Sequence, residues 1–141
     1  MASVKQPNME IHSFFFSAPW CGPCKLIKPF YYEKVQPIYT MNGITCTEHC
    51  YDDEHTEEMM NALGVKKIPT LCVIKMPAYV DTHITDDPEN EKEWVDYLEM
   101  LKVCDADSSI GTFEVLYSST GADIEKTAMD AISSFSLDED F

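Results

Sequence analysis

Two cysteines separated by two residues, Cys21 and Cys24, stand where an aromatic apolar run gives way to a helical pattern. Such a pair can close a small disulfide ring or serve as half of a metal site. The flanks limit the local fold. Ile11-His12-Ser13-Phe14-Phe15-Phe16 is too short to span a bilayer, and it ends at a small-residue and proline cluster, so it reads as a buried strand. From Gly22 onward, Leu26, Ile27, Phe30, Tyr31 and Val35 fall near one helical stripe, with Pro23 in the first turn, where a missing N–H is no loss. Cys21 then sits at a helix N-terminus, among unpaired N–H groups that favour thiolate over thiol. Cys24 lies one turn inward on the same side and is more covered.

Composition removes several functional classes. The chain has 141 residues, one domain's worth, and carries 25 acidic residues against 10 basic ones, for a net charge of −15. All ten basic residues are lysines, so both the basic face and the arginine forks that nucleic-acid readout uses are lacking. No apolar run approaches the length of a membrane span, and no basic segment leads into a signal-like stretch at the N-terminus. The expectation is a soluble cytoplasmic protein with no nucleic-acid or membrane partner. Six cysteines would suit a secreted disulfide framework, but with no secretory signal most are expected to be reduced.

Residues 1–9 are polar and aperiodic and read as an arm. Pro29 is expected to kink the first helix and Pro37 to end it. After the Asn42-Gly43 turn, Ile44 to Tyr51 reads as a second strand. The acidic Asp52-Asp53-Glu54 leads into a short helix with Met59, Met60 and Leu63, capped by Gly64. Leu71-Cys72-Val73-Ile74 is an apolar strand with Pro69 before it, and alternation at Val80, Thr82 and Ile84 reads as a hairpin partner. Asp87-Pro88 opens a helix with Trp94, Tyr97, Leu98 and Leu101 on one face. This order implies an α/β fold, a mixed sheet of four to five strands with helices on both faces.

Phe16-Ser17-Ala18-Pro19-Trp20-Cys21-Gly22-Pro23-Cys24-Lys25, then Ile27-Lys28-Pro29-Phe30, then Ile68-Pro69-Thr70 before an apolar strand, together resemble the thioredoxin family over about Ile11 to Val103. The resemblance implies a thioredoxin fold. It implies a dithiol reductase of protein disulfides in which Cys21 attacks, Cys24 resolves, and Pro69 is a cis-proline beside them. Substrates would meet Trp20, Gly22, Pro23, Ile68 and Pro69. No cofactor beyond the redox-active cysteine pair is implied, and a flavin-dependent thioredoxin reductase would recharge it. The Gly-Pro pair resembles that of reducing members. Two alternatives stand beside this reading. One is a thioredoxin-fold binding or scaffold module with little turnover. The other is a four-thiolate zinc site built from Cys21, Cys24, Cys46 and Cys50, with His49 or His55 able to contribute instead, which the proline and the aromatic strand fit poorly. No metal is expected, and Cys72 reads as core.

Three positions depart from the family pattern. Phe15 stands where a buried aspartate usually helps deprotonate the resolving thiol. Glu48 and His49 occupy the region of a usual lysine, with His49 as a substitute base, and Thr85-Asp86-Asp87 replaces a glycine against which substrates dock. The family's opening strand and helix also have no counterpart before Glu10. Phe113, Val115 and Tyr117 alternate like a strand, however, and Ile124, Thr127, Ala128, Ala131, Ile132 and Phe135 follow a helical stripe. The expected organisation is therefore a core over residues 10–103, an acidic linker over 104–111, a strand and helix within 112–135 and an acidic tail over 136–141. In this permuted arrangement the C-terminal strand supplies the missing first strand and pairs beside residues 44–50.

Overall fold

The structure, a computed structural model, describes residues 9–77, 91–103, 113–121 and 123–131. The hairpin strand at Val80 to Ile84, the Asp87-Pro88 cap, Thr85-Asp86-Asp87, Cys104 and most of the N-terminal arm, linker and tail lie outside the described residues.

The aromatic run forms β1 (Met9–Ser17). It leads into α1 (Gly22–Phe30), a π-helical turn (Tyr31–Val35) and α2 (Gln36–Met41), which together return the chain to β2 (Thr45–Cys50), parallel to β1. A parallel pair needs such a crossover, because a tight turn only joins antiparallel strands. The chain continues through α3 (Thr56–Leu63), β3 (Thr70–Pro77), α4 (Glu91–Val103), β4 (Glu114–Thr120) and α5 (Asp123–Asp130). The sheet order is β2-β1-β3-β4, with β3 antiparallel to both neighbours. β1 is thus paired on both edges and covered on both faces, which explains why its sequence is a nearly continuous apolar run.

Alternate residues of β1 feed two cores. Ile11 and Phe15 face α1, the π turn, α2 and α5, where they meet Ile27, Tyr31, Val35, Tyr39, Ile124 and Ala128. Phe14 and Phe16 face α3 and α4, where they meet Met59, Leu63, Trp94, Leu98 and Leu101. The first side is the α1 face and the second the α4 face. The stripe Trp94, Tyr97, Leu98 and Leu101 is buried as its spacing predicts.

The structure corrects the sequence reading at three points. Pro37 does not end the first helical stretch but stands in the first turn of α2. Proline has no N–H to give, and the π turn before it rearranges the bonding so that none is needed. Leu26, placed on the buried stripe, is 83% exposed, while Ile27, Tyr31 and Val35 carry the packing. The C-terminal strand joins the sheet beside β3, on the edge opposite β2, and so does not pair with residues 44–50. Alternation establishes a strand but not its neighbour. That choice is made by α5, which must bury Ile124 and Ala128 beside α1 and the π turn.

Candidate active site

The Cys21-Gly22-Pro23-Cys24 turn lies at the C-terminal ends of the parallel strands β1 and β2, a usual place for sites in α/β sheets. Cys21 is the N-cap of α1, with extended backbone at φ −88 and ψ 112, and its Sγ accepts the backbone N–H of Cys24 at 3.2 Å. It performs the task of a capping serine or aspartate, so negative charge on this sulfur is met by a donor and by the positive end of the helix. The two cysteines are joined as a disulfide with Cα atoms 5.2 Å apart. Cys21 keeps 6% of its surface and Cys24 none, so the outer sulfur is the one open to approach.

Ala18, Tyr51 and Ile68 pack against this pair. Ile68 precedes Pro69 through a cis peptide bond, and the loop holding them is tied down on both sides. Thr70 Oγ1 donates to the Lys67 carbonyl at 2.7 Å, and the Gly121 N–H donates to the Pro69 carbonyl at 3.0 Å. Gly64 turns the chain out of α3 at φ +76, a left-handed conformation that costs glycine little. Trp20 is 61% exposed and stands edge-on to Tyr51 with ring centres 6.1 Å apart. Its Nε1–H donates to both carboxylate oxygens of Asp52, at 3.0 and 2.9 Å. Sequence spacing does not single out Tyr51 and Asp52 as site residues, since Asp52 reads as the solvated start of a helix. Nothing in local periodicity links positions 32 residues apart.

Phe15 is fully buried and stacks on Tyr31 at 4.5 Å. The carboxylate on this face belongs to Glu48, directly opposite Phe15 in the β1–β2 register. Glu48 accepts from Ser17 Oγ at 2.7 Å, from the Tyr32 hydroxyl and from Lys28 Nζ at 2.9 Å. Burial opposes its ionisation, but the hydrogen bonds from Tyr32, Ser17 and Lys28 and the charge of Lys28 outweigh that and hold the carboxyl below its ordinary range. Lys28 follows Cys24 by four positions, and a helical side chain leans back over the preceding turn, so this cluster adjoins the turn that carries the inner sulfur. His49 is on the other side. It lies on the α4 face between Phe14 and Phe16, with Nε2 2.9 Å from Thr47 Oγ1, which removes it as a substitute base for Cys24. The residue type alone suggested that role. Strand alternation puts neighbours 48 and 49 on opposite faces.

The zinc alternative finds no assembled ligand set. Cys21 and Cys24 are bonded to each other, His49 faces away, and His55 Nδ1 is paired with Glu58 at 2.5 Å. Among the described residues no group of three or more His, Cys, Asp or Glu is arranged around a metal position. Cys46, Cys50 and Cys72 are free thiols. Burial pushes Cys72 up to about 12, and burial likewise raises Cys46, so neither supplies thiolate at neutral pH.

The family pattern described as Thioredoxin matches residues 3–99. A thioredoxin of Bacillus subtilis is 36% identical over 74 residues, covering 52% of this chain and 67% of that protein. Thioredoxin 1 of Plasmodium falciparum is 34% identical over 79 residues, 56% of this chain and 69% of the relative. Among solved structures, the germline-specific thioredoxin Deadhead of Drosophila melanogaster superposes with a TM-score of 0.52 at 16% identity, covering 90% of this chain and 82% of that one. A thioredoxin from Thermus thermophilus gives a TM-score of 0.54 at 11% identity, covering 89% and 72%. At such identities the structures speak for the fold alone, while the matched pattern and the paired cysteines at the helix start speak for the chemistry. The chain belongs to the thioredoxin family of thiol–disulfide oxidoreductases.

Proposed function

We propose that this protein reduces disulfides in protein partners, with Cys21 as the attacking and Cys24 as the resolving thiol. The observation that carries this reading is the Cys24 N–H held on Cys21 Sγ at the N-cap of α1, which stabilises a thiolate at the more accessible sulfur. The Cys21 thiolate attacks one sulfur of the substrate disulfide, and the other sulfur leaves as thiolate and takes up a proton. Cys24 then gives up its proton and attacks Cys21 Sγ, which expels the second substrate sulfur. Two electrons pass to the substrate, and the protein is left with the Cys21–Cys24 bond. Exposed Trp20, Gly22 and Pro23 and half-buried Ile68 form the surface a substrate would meet, with the buried Pro69 supporting Ile68 from behind. No cofactor other than the cysteine pair enters the cycle.

The next turnover needs two electrons from outside, and a flavin-dependent thioredoxin reductase is the donor class the family suggests. A reducing compartment such as the cytoplasm suits a protein with Cys46, Cys50 and Cys72 as free thiols. The insulin-reduction assay tests the reading. The wild type should turn over, Cys21→Ser should fall to background, and Cys24→Ser should stall as a mixed disulfide visible on a non-reducing gel. A wild type no faster than either variant would overturn the reductase reading. A wild type that itself accumulates mixed disulfides would instead mark a protein that captures its partners.

A further inference from the structure

A groove of about 370 Å³ opens beside the disulfide, lined by Trp20, Tyr51, Met60, Lys66, Lys67 and Ile68. Its walls differ in charge. On one side Asp52 is engaged by the Trp20 indole, and Glu57 stands against the Tyr51 hydroxyl, which it pushes up. On the other side Lys66 and Lys67 are both exposed, and neither forms an ion pair among the described residues. Lys28 is held by Glu48 and Lys92 by Asp96, while Lys25, Lys34, Lys75 and Lys126 share with this pair the lack of an ion pair among the described residues. In a chain of net charge −15, what sets Lys66 and Lys67 apart is their place, side by side on the rim of the groove whose other members Tyr51 and Ile68 pack against the disulfide. Their backbone is fixed. Thr70 Oγ1 holds the Lys67 carbonyl, and the Val65 N–H is bonded to the Met60 carbonyl at 2.8 Å. At physiological salt the Debye length is about 8 Å, so a segment already in the groove feels this pair more strongly than the distant acidic surface.

We infer that Lys66 and Lys67 are a specificity-determining pair, selecting substrate segments that carry an aspartate or glutamate within a few residues of the disulfide and an apolar or aromatic side chain beside it. The carboxylate meets the ammonium groups while the apolar group lies against Trp20, Tyr51 and Ile68. This rests on the reductase reading and adds the substrate class to it.

Two disulfide-linked peptides that differ only in glutamate or lysine near the cysteine serve as probes. Each rate is divided by the same enzyme's rate on the uncharged 2-hydroxyethyl disulfide, which separates loss of chemistry from loss of selection. The wild type should favour the glutamate peptide by about five-fold in kcat/KM at low salt, as one or two exposed ion pairs permit. The difference should sit in KM and shrink at about 0.5 M salt. K66Q/K67Q should abolish the preference, and K66E/K67E should invert it. Equal use of the two peptides by the wild type would overturn the inference and leave the reductase reading intact, as would a preference that survives in both double variants. A wild type inactive on all three disulfides would overturn the reductase reading, and the inference with it.

Discussion

The two faces of the sheet use the same strand for different ends. On the α4 face, Phe14 and Phe16 meet Trp94, Leu98, Met59 and Leu63, and the polar members His12 and His49 are held between aromatic rings. On the α1 face the core is interrupted by groups that carry protons. Tyr39 donates to the Ala128 carbonyl and shares a hydrogen bond with Tyr117, and the Ser17–Glu48–Lys28–Tyr32 cluster adjoins the disulfide helix. On the α4 face the two histidines are enclosed by the aromatic core. The α1 face combines cohesion with a larger set of hydrogen-bonded polar groups, and a polar group is costly where water is excluded unless it is satisfied.

Substitutions on the two faces test this contrast, and the disulfide itself should respond most. Cys21→Ser should reduce insulin reduction to background. Next comes the α4 face, where Leu98→Ala removes a fully buried side chain and should cost about 2–5 kcal/mol in chemical denaturation. The insulin-reduction rate per folded molecule should hardly change. A marked loss of rate at full folding would show that the α4 face also tunes the chemistry.

A smaller effect is expected at Tyr39→Phe on the α1 face. It deletes a buried hydroxyl bonded at 2.7 Å to both Ala128 and Tyr117, and should cost about 1–2 kcal/mol. Burial pushes the Tyr39 hydroxyl up to about 12 from an ordinary 10.0. A raised pKa in the fold contributes stability that is complete below about pH 10 and lost as pH climbs toward 12. The variant should therefore show a flatter alkaline stability profile than the wild type.

Glu48→Gln should give the smallest change. Its carboxyl is depressed in the fold, so it contributes above the ordinary carboxylate pKa and the contribution fades as pH falls through the lowered value. Denaturation midpoints followed between pH 7 and pH 3 should fall less steeply for the variant. Identical acid limbs would show that the Glu48 cluster is too solvated to matter.

Much of this architecture is written in local spacing. Trp94, Tyr97, Leu98 and Leu101 recur at helical spacing and are buried, and Gly64 closes its helix in the left-handed conformation. Cys21 and Cys24 occupy the first turn of a helix, as the flanking strand and Pro23 imply. These are local properties, written in three- to four-residue periods and single turn residues.

The reactive pair, the apolar strand before it and the faces of the longer helices follow from chemistry within one or two turns of chain. Tertiary structure decided which edge of the sheet the C-terminal strand takes, that Leu26 stays outside, that Glu48 and not His49 shares the face of the disulfide helix, and that Lys66 and Lys67 border the same groove as Trp20. The reason is physical. A strand's own pattern says which of its sides is apolar, but its neighbour and the face each side meets are settled only when helices cover both sides of the sheet at once.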